Sequence, residues 1–248
     1  MEYFNRVERL LGSGTMTFLE QTSVIIFGVG GVGSWTAEAL VRSGVSHITI
    51  VDADVVAATN INRQLMATSA TIGKPKVDVL RDRLLEINPQ AEITSVYKMY
   101  DAETAGEFNL SDYDYVVDAI DSLSAKALLI LNTCNSHARL LSSMGAALKL
   151  DPTRVKVAEF WNVKGCPLAA ALRRRFKKTG IMPRKKFKCA YSDELLTNQG
   201  KTATEDTAKS YGKIAINGAL CHITAIFGLT LAGLIVQDIN LKSRQAQT

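Results

Sequence analysis

Ser23-Val24-Ile25-Ile26-Phe27-Gly28-Val29-Gly30-Gly31-Val32-Gly33 is the stretch that decides the fold. Residues 23–28 are a short apolar run, the composition of a strand buried on both faces. Residues 32–43 carry apolar side chains at helical spacing. Between them lie Gly28, Gly30, Gly31 and Gly33. Glycines at a strand-to-helix junction permit a tight turn and let a phosphate approach the amides at the helix N-terminus.

Outward from this turn the same rhythm continues. Residues 47–52 (HITIVD) predict a second strand ending on Asp52, where a carboxylate can accept both hydroxyls of a ribose. A helix over 76–87 is closed by Asn88-Pro89, and a strand comes next over 91–97. Residues 115–118 (YVVD) read as a strand, 124–138 as a helix and 139–143 as a short strand. Such alternation predicts an α/β fold, a Rossmann-like doubly wound and mostly parallel sheet. After Met144-Gly145 the pattern changes. Residues 153–160 alternate as an antiparallel strand would, 168–178 look helical, and 179–188 form a basic crossover. Residues 192–210 are polar without periodicity and are expected to be mobile. The chain reads as one domain, 1–248, with an antiparallel extension and basic crossover over 150–212 and a C-terminal apolar helix over 213–240.

Composition narrows the class. With 47% hydrophobic and 21% charged residues, the 248-residue chain can bury a sizeable core. Cys134, Cys166, Cys189 and Cys221 stand far apart, which argues against a structural zinc or a disulfide scaffold and fits a cytoplasmic protein. The first nine residues carry charges of both signs and no apolar core, so no signal peptide is expected. Residues 214–236 lack a formal charge and are long enough to span a bilayer. Asn217, His222, Thr224 and Thr230 within them favour a buried core helix over a membrane contact. The net charge of +5 is local. Arg173, Arg174, Arg175, Lys177, Lys178, Arg184, Lys185, Lys186 and Lys188 form an acid-free run, and the rest of the chain is net negative. Such a run suits a nucleic-acid backbone, although a solvated helix face is the commoner fate of clustered charge.

The glycine turn and Asp52 alone would suit a dinucleotide oxidoreductase. The residues beyond Asp52 argue for ATP. Asn60-Ile61-Asn62-Arg63-Gln64 places an amide and a guanidinium after the acidic strand end. Gly73-Lys74-Pro75-Lys76 places a lysine at the start of the next helix, and Asp118-Ala119-Ile120-Asp121-Ser122 ends another strand with two acids. Nucleotidyl transfer needs such a set: cations for the triphosphate and the departing pyrophosphate, and a carboxylate for magnesium. Each residue has a plainer reading, with Arg63 a surface cation, Lys76 a helix-start lysine and Asp121 a helix cap. Their ordered occurrence together favours the catalytic one.

DADVVAATNINRQ, GKPK and DAID together resemble the adenylation signature of the ThiF/MoeB superfamily, which includes the ubiquitin-activating enzymes. The resemblance implies that Gly31 and Asp52 contact the nucleotide and its ribose. It implies that Asn60, Arg63 and Lys76 hold the phosphates and that Asp121 coordinates magnesium. Gly28, Gly30, Gly33, Asp54, Asn62 and Ser122 complete the implied nucleotide site. Asn5-Arg6 resembles an N-terminal arginine that enters a partner subunit's ATP site, so Arg6 joins Arg63, Lys76 and Asp121 as an implied catalytic residue of a homodimer.

Within the superfamily the chain resembles the tRNA threonylcarbamoyladenosine dehydratases over nearly its whole length. The matching residues are Phe4-Asn5-Arg6 with Leu10-Leu11-Gly12, Asp118 to Ser122, and Ser143-Met144-Gly145-Ala146-Ala147 leading to Leu150-Asp151-Pro152-Thr153. Cys166-Pro167-Leu168-Ala169 and Ala190-Tyr191-Ser192-Asp193-Glu194 complete the set. The resemblance implies a ligase-type enzyme that adenylates the threonyl carboxylate on tRNA, releasing AMP and pyrophosphate, and leaves a sulfurtransferase partner open. The alternative is an activator of a ubiquitin-like sulfur-carrier protein. A non-catalytic adaptor with a nucleotide pocket is a third class. Cys189, flanked by Lys186 and Lys188, would matter to the carrier reading if its pKa were lowered. A half-buried strand cysteine is the plainer expectation.

Overall fold

The computed structural model describes residues 2–200 and 217–246. Seven strands form one sheet in the order β3-β2-β1-β4-β5-β7-β6. They are β1 Ser23–Phe27, β2 His47–Asp52, β3 Glu92–Tyr97, β4 Tyr115–Asp118, β5 Arg139–Ser143, β6 Val155–Glu159 and β7 Lys188–Ser192. All neighbours run parallel except β6, which pairs antiparallel with β7 at the edge. The doubly wound sheet with an antiparallel extension is therefore present as the sequence implies.

Alternation along β1 shows how the layers arise. Val24 and Ile26 face one core with helices α2 (Ser13–Gln21), α3 (Gly33–Arg42) and α4 (Lys76–Ile87). Ile25 and Phe27 face a second core with α5 (Leu123–Asn135) and α6 (Pro167–Thr179). Because successive side chains of a strand point to opposite faces, a continuous apolar run is required of a sheet covered on both sides.

The C-terminal helix α7, Cys221–Ala246, belongs to the first layer and packs on α3 and α2. Its Gly228 makes the close approach to α3 possible. A Cβ there would lie 2.5 Å from the Val32 carbonyl oxygen, and the buried Thr36 hydroxyl donates to the Gly228 carbonyl at 3.1 Å. Farther along, Asp238 accepts from Tyr115 and Arg139, pinning α7 beneath β4 and β5. The helix is long and apolar enough to cross a bilayer, with a mean hydropathy of 1.5 over its most apolar stretch, yet half of that stretch is buried within the protein.

Several boundaries differ from expectation. The C-terminal helix covers 221–246 rather than 213–240. Residues 217–220 are not helical, and 213–216 fall outside the described residues. The helix expected over 124–138 ends at Asn135, because Ser136 turns the chain into β5. The strand expected over 153–160 is shortened at both ends by single 3-10 turns. The Asp151 carboxylate accepts the Thr153 amide and the Glu159 carboxylate accepts the Trp161 amide, so each side chain initiates a turn. Two helices at the N-terminus, α1 (Asn5–Leu11) and α2, are not marked in the sequence pattern, and β7 is the strand expected at Cys189, bounded by Lys188 and Ser192. Of the polar stretch 192–210, residues 201–210 lie outside the described ones.

Candidate active site

The chain leaves β1 toward β2 on one side and later enters β4 on the other. The crevice at the C-terminal ends of β1 and β4 is therefore the topological switch point, where doubly wound sheets bind ligands. Gly28 has φ +83, and a Cβ there would stand 2.7 Å from the Ala119 carbonyl oxygen. At Gly33 a Cβ would collide with the Gly28 carbonyl at 1.9 Å. Only glycines let the turn fold this tightly between the strand ends and the start of α3.

Asp52 closes that turn from β2. Its Oδ2 accepts the Val29 amide at 2.8 Å and its Oδ1 the Asp54 amide at 2.9 Å. Burial raises the Asp52 pKa, opposed by the Lys76 charge and the two amide hydrogen bonds. Lys76 is only 5% exposed and its Nζ lies 2.7 Å from Asp54 Oδ2, so the lysine is held at the mouth by an acid rather than standing free. Asn60 Oδ1 accepts the Ala57 amide at 3.0 Å and shapes the single turn that leads to Arg63. Arg63 donates to the Thr59 carbonyl at 2.9 Å and to Asn62 Oδ1 at 2.8 Å, while Asn62 donates to the Ala219 carbonyl at 2.9 Å. The segment is stitched over the glycine turn by Trp35, which donates to the Arg63 carbonyl, and by Ser34, whose hydroxyl accepts the Leu65 amide. On the β4 side Asp121 and Ser122 are exposed beside the turn. Ser122, not Asp121, occupies the cap position of α5, and its side chain makes no capping hydrogen bond. Asp121 is therefore not the cap of α5.

A family model described as ThiF family matches residues 4–246. The chain belongs to the ThiF family. Among its ThiF-family relatives, the tRNA threonylcarbamoyladenosine dehydratase of Bacillus subtilis is 36% identical, over 96% of this chain and 95% of that one. The crystal structure of the Escherichia coli tRNA N6-threonylcarbamoyladenosine dehydratase in complex with ATP superposes with a TM-score of 0.86 at 31% identity. That match covers 98% of this chain and 96% of that one. The Escherichia coli molybdopterin-synthase adenylyltransferase is 32% identical over only 66% of this chain and 63% of its own length. The resemblance read from the motifs and the doubly wound fold are both borne out.

Around the ThiF-family mouth, then, Gly28, Gly30, Gly31, Gly33, Asp52, Asp54, Asn60, Asn62, Arg63, Lys76, Asp121 and Ser122 lie on the segments that follow the C-terminal ends of β1, β2 and β4. Arg6 is not among them. It is exposed on α1, which packs on α2. The basic run is also elsewhere. Lys185 donates to the Ser136 carbonyl and Lys188 begins β7, so the crossover lies toward the N-terminal ends of the parallel strands. Eight of its nine cations are exposed, whereas Arg173 turns inward, donating to the Phe160 carbonyl at 3.0 Å and lying over that ring. Cys189 is fully buried, and desolvation pushes its pKa well up, against any lowering by nearby lysines.

Two features of this ThiF-family site were missed. Gln64 is buried beside Gly30, and its Oε1 has no hydrogen-bond partner among the described residues. Its position next to Arg63 was the available signal. Lys126 and Asp118 form an ion pair at 2.7 Å with no exposure at either side chain. A lysine in the apolar run LSAKALLIL was its only mark in the sequence.

No group of three or more His, Cys, Asp or Glu side chains converges among the described residues. One exposed carboxylate suits magnesium carried on a triphosphate, which takes one or two protein carboxylates and fills its shell with phosphate oxygens and waters. Asp121 fits that requirement.

Proposed function

We propose that this protein is an ATP-dependent tRNA threonylcarbamoyladenosine dehydratase. Two observations support the reading: the match to a tRNA threonylcarbamoyladenosine dehydratase over 96% of this chain, and the placing of a glycine-lined helix N-terminus, Arg63, Lys76 and the exposed Asp121 around the C-terminal ends of β1, β2 and β4. A hydride-transfer enzyme binding a pyrophosphate on backbone amides has little use for that set.

The glycine turn binds phosphate through its amides, and Asp52 anchors the ribose while keeping the turn closed. Asn60, Arg63 and Lys76 orient the triphosphate, with Asp54 holding the lysine in place and Asn62 the arginine. The threonyl carboxylate attacks the α-phosphorus and the bond to pyrophosphate breaks, and the cations balance the charge that develops on the leaving group. Asp121 would hold magnesium, which supplies further phosphate neutralisation, and Ser122 would border it. In the acyl adenylate a carbamoyl atom of the same nucleoside attacks the activated carbon and AMP departs with the former carboxylate oxygen. Ring closure thus removes the elements of water from the nucleoside. Proximity supplies the second step, so no enzyme nucleophile is needed. A sulfurtransferase partner would act outside these two steps.

The homodimer belongs to the same reading. Arg6 is exposed on α1, outside the loops that carry its own chain's nucleotide motifs, which suits a side chain that serves a second copy. The basic run suits the tRNA backbone at the sheet end away from ATP, as a substrate much larger than one domain permits. The cytoplasm is the compartment that supplies tRNA and ATP, and α7 serves as a core helix.

Incubating the protein with tRNA bearing threonylcarbamoyladenosine, ATP and magnesium tests this directly. Nucleoside mass spectrometry should show loss of one water per AMP released. ATP–pyrophosphate exchange that ignores tRNA but responds to a carrier protein's C-terminus would replace this reading with the carrier-activator one.

A further inference from the structure

The buried pair of Lys126 and Asp118 is an expensive feature with no obvious return in stability. Desolvating two charges offsets much of their attraction, and apolar residues of similar volume often do as well. Its hydrogen bonds indicate another use. Asp118 Oδ2 accepts from Lys126 Nζ at 2.7 Å and from the Ser142 hydroxyl at 2.6 Å, while Oδ1 accepts the Ile120 amide at 3.2 Å. The Lys126 amide donates to the Ser122 carbonyl at 2.9 Å, the first hydrogen bond of α5, so the loop ends where the helix begins. The loop 119–122 is therefore held at its start by Asp118, which Lys126 pairs, and at its end by the first turn of α5. Its first residue also touches the glycine turn: the Ala119 amide donates to the Phe27 carbonyl at 2.9 Å, and the Ala119 carbonyl borders Gly28. The clamp relates the loop's conformation to β1, β4, β5 and α5 at once.

We infer that Lys126 is a positioning residue: through Asp118 it sets the direction in which loop 119–122 presents Asp121 to the nucleotide. Lys126 touches neither nucleotide nor substrate, being wholly buried. Its effect is on orientation, where a displacement of about 1 Å can cost roughly 100-fold in rate. The inference rests on the adenylation reading and extends it to a residue outside the superfamily motifs.

Lys126→Met, Lys126→Arg and the neutral double variant Asp118→Asn/Lys126→Met provide the test. Pyrophosphate exchange by the wild-type protein is the control, and its absence would defeat the adenylation reading without bearing on the clamp. In Lys126→Met, kcat should fall by about 100-fold with little change in the KM for ATP. In the protein without nucleotide, hydrogen exchange at the Ile120 amide, which Asp118 accepts, should quicken by at least about tenfold while the sheet amides keep their protection. Lys126→Arg, which retains the cation, should recover most of the rate. If Lys126→Met does not fold, the double variant, free of an unpaired buried charge, should fold and show the same fast loop and low kcat. Wild-type kcat in a folded variant lacking the cation would overturn the inference. So would exchange that quickens uniformly with the rate falling only as thermal stability falls, since that marks a scaffold residue.

Discussion

The Asp52 carboxylate reaches across from β2 to accept the Val29 amide at 2.8 Å, so the residue read as a ribose anchor also holds the glycine turn in shape. Its other oxygen accepts the Asp54 amide, which leaves each oxygen a second lone pair for a nucleotide hydroxyl.

Asp52→Asn should therefore weaken ATP binding by about tenfold or more, since hydrogen bonds to charged groups contribute roughly 1.5–3 kcal/mol. The effect should fall on affinity more than on kcat, because the ribose contact is alike in ground and transition states. Burial raises the Asp52 pKa, so ATP affinity should decline as pH falls through that raised value, and Asp52→Asn should flatten the profile. Stability carries the opposite sign. With its folded pKa above its unfolded one, this group's contribution to stability decreases as pH rises between the two. Calorimetric titration across pH checks the first expectation and denaturant melts the second.

Arg6→Ala and Asp121→Ala should each lose nearly all adenylation activity while remaining folded. Mixed and allowed to exchange subunits, the two inactive proteins should regain activity, because one site of the heterodimer has both residues. No recovery after demonstrated exchange would assign Arg6 to its own subunit or to no catalytic role.

The basic run gives a salt-dependence prediction. Arg174, Lys177 and Lys186 are exposed, and changing all three to Glu should weaken tRNA binding. Each lost phosphate contact should reduce the slope of log affinity against log salt by about 0.7–0.9. ATP affinity should stay the same, since these residues stand at the other end of the sheet. A slope unchanged by the triple substitution would leave the run as a solvated face.

The cysteines should prove dispensable for cyclisation. Only Cys221 is exposed, so a thiol reagent should modify one residue rapidly in the native protein and four after denaturation. Cys189→Ser should retain tRNA cyclisation while costing about 1–3 kcal/mol of stability, the penalty of a buried hydroxyl without an assured partner. Retained adenylation with lost cyclisation would point to a thioester step and to the carrier-activator chemistry.

Much of this fold could be read from local sequence, and the reason is the covered parallel sheet. Strands buried on both faces must be continuous apolar runs, as in 23–27 and 115–118, and the helices between them carry a clear apolar stripe. Strand β2 and helix α4 fall at the expected residues because Asp52 and the Asn88-Pro89 stop are local signals. The N-terminal helices left no such mark. Helix α1 buries no side chain and α2 buries only Thr15 and Leu19, so their apolar periodicity is weak. Strand β7 was legible only at Cys189, because five residues between a lysine-rich crossover and a polar stretch are too few to mark the strand's bounds.

The sequence by itself determined the doubly wound sheet, the glycine turn and the ordered set Asp52, Arg63, Lys76 and Asp121, because each depends on residue type at short spacing. Only the tertiary structure decided how these residues are held: Lys76 on Asp54, the Arg63 carbonyl on the Trp35 indole, and Asp118 between Lys126, Ser142 and the Ile120 amide. It alone placed the basic run at the far end of the sheet and Gly228 against Val32. Those relations join residues distant in the chain, and no local propensity encodes a contact whose two halves meet only when the sheet is wound and its helices have packed.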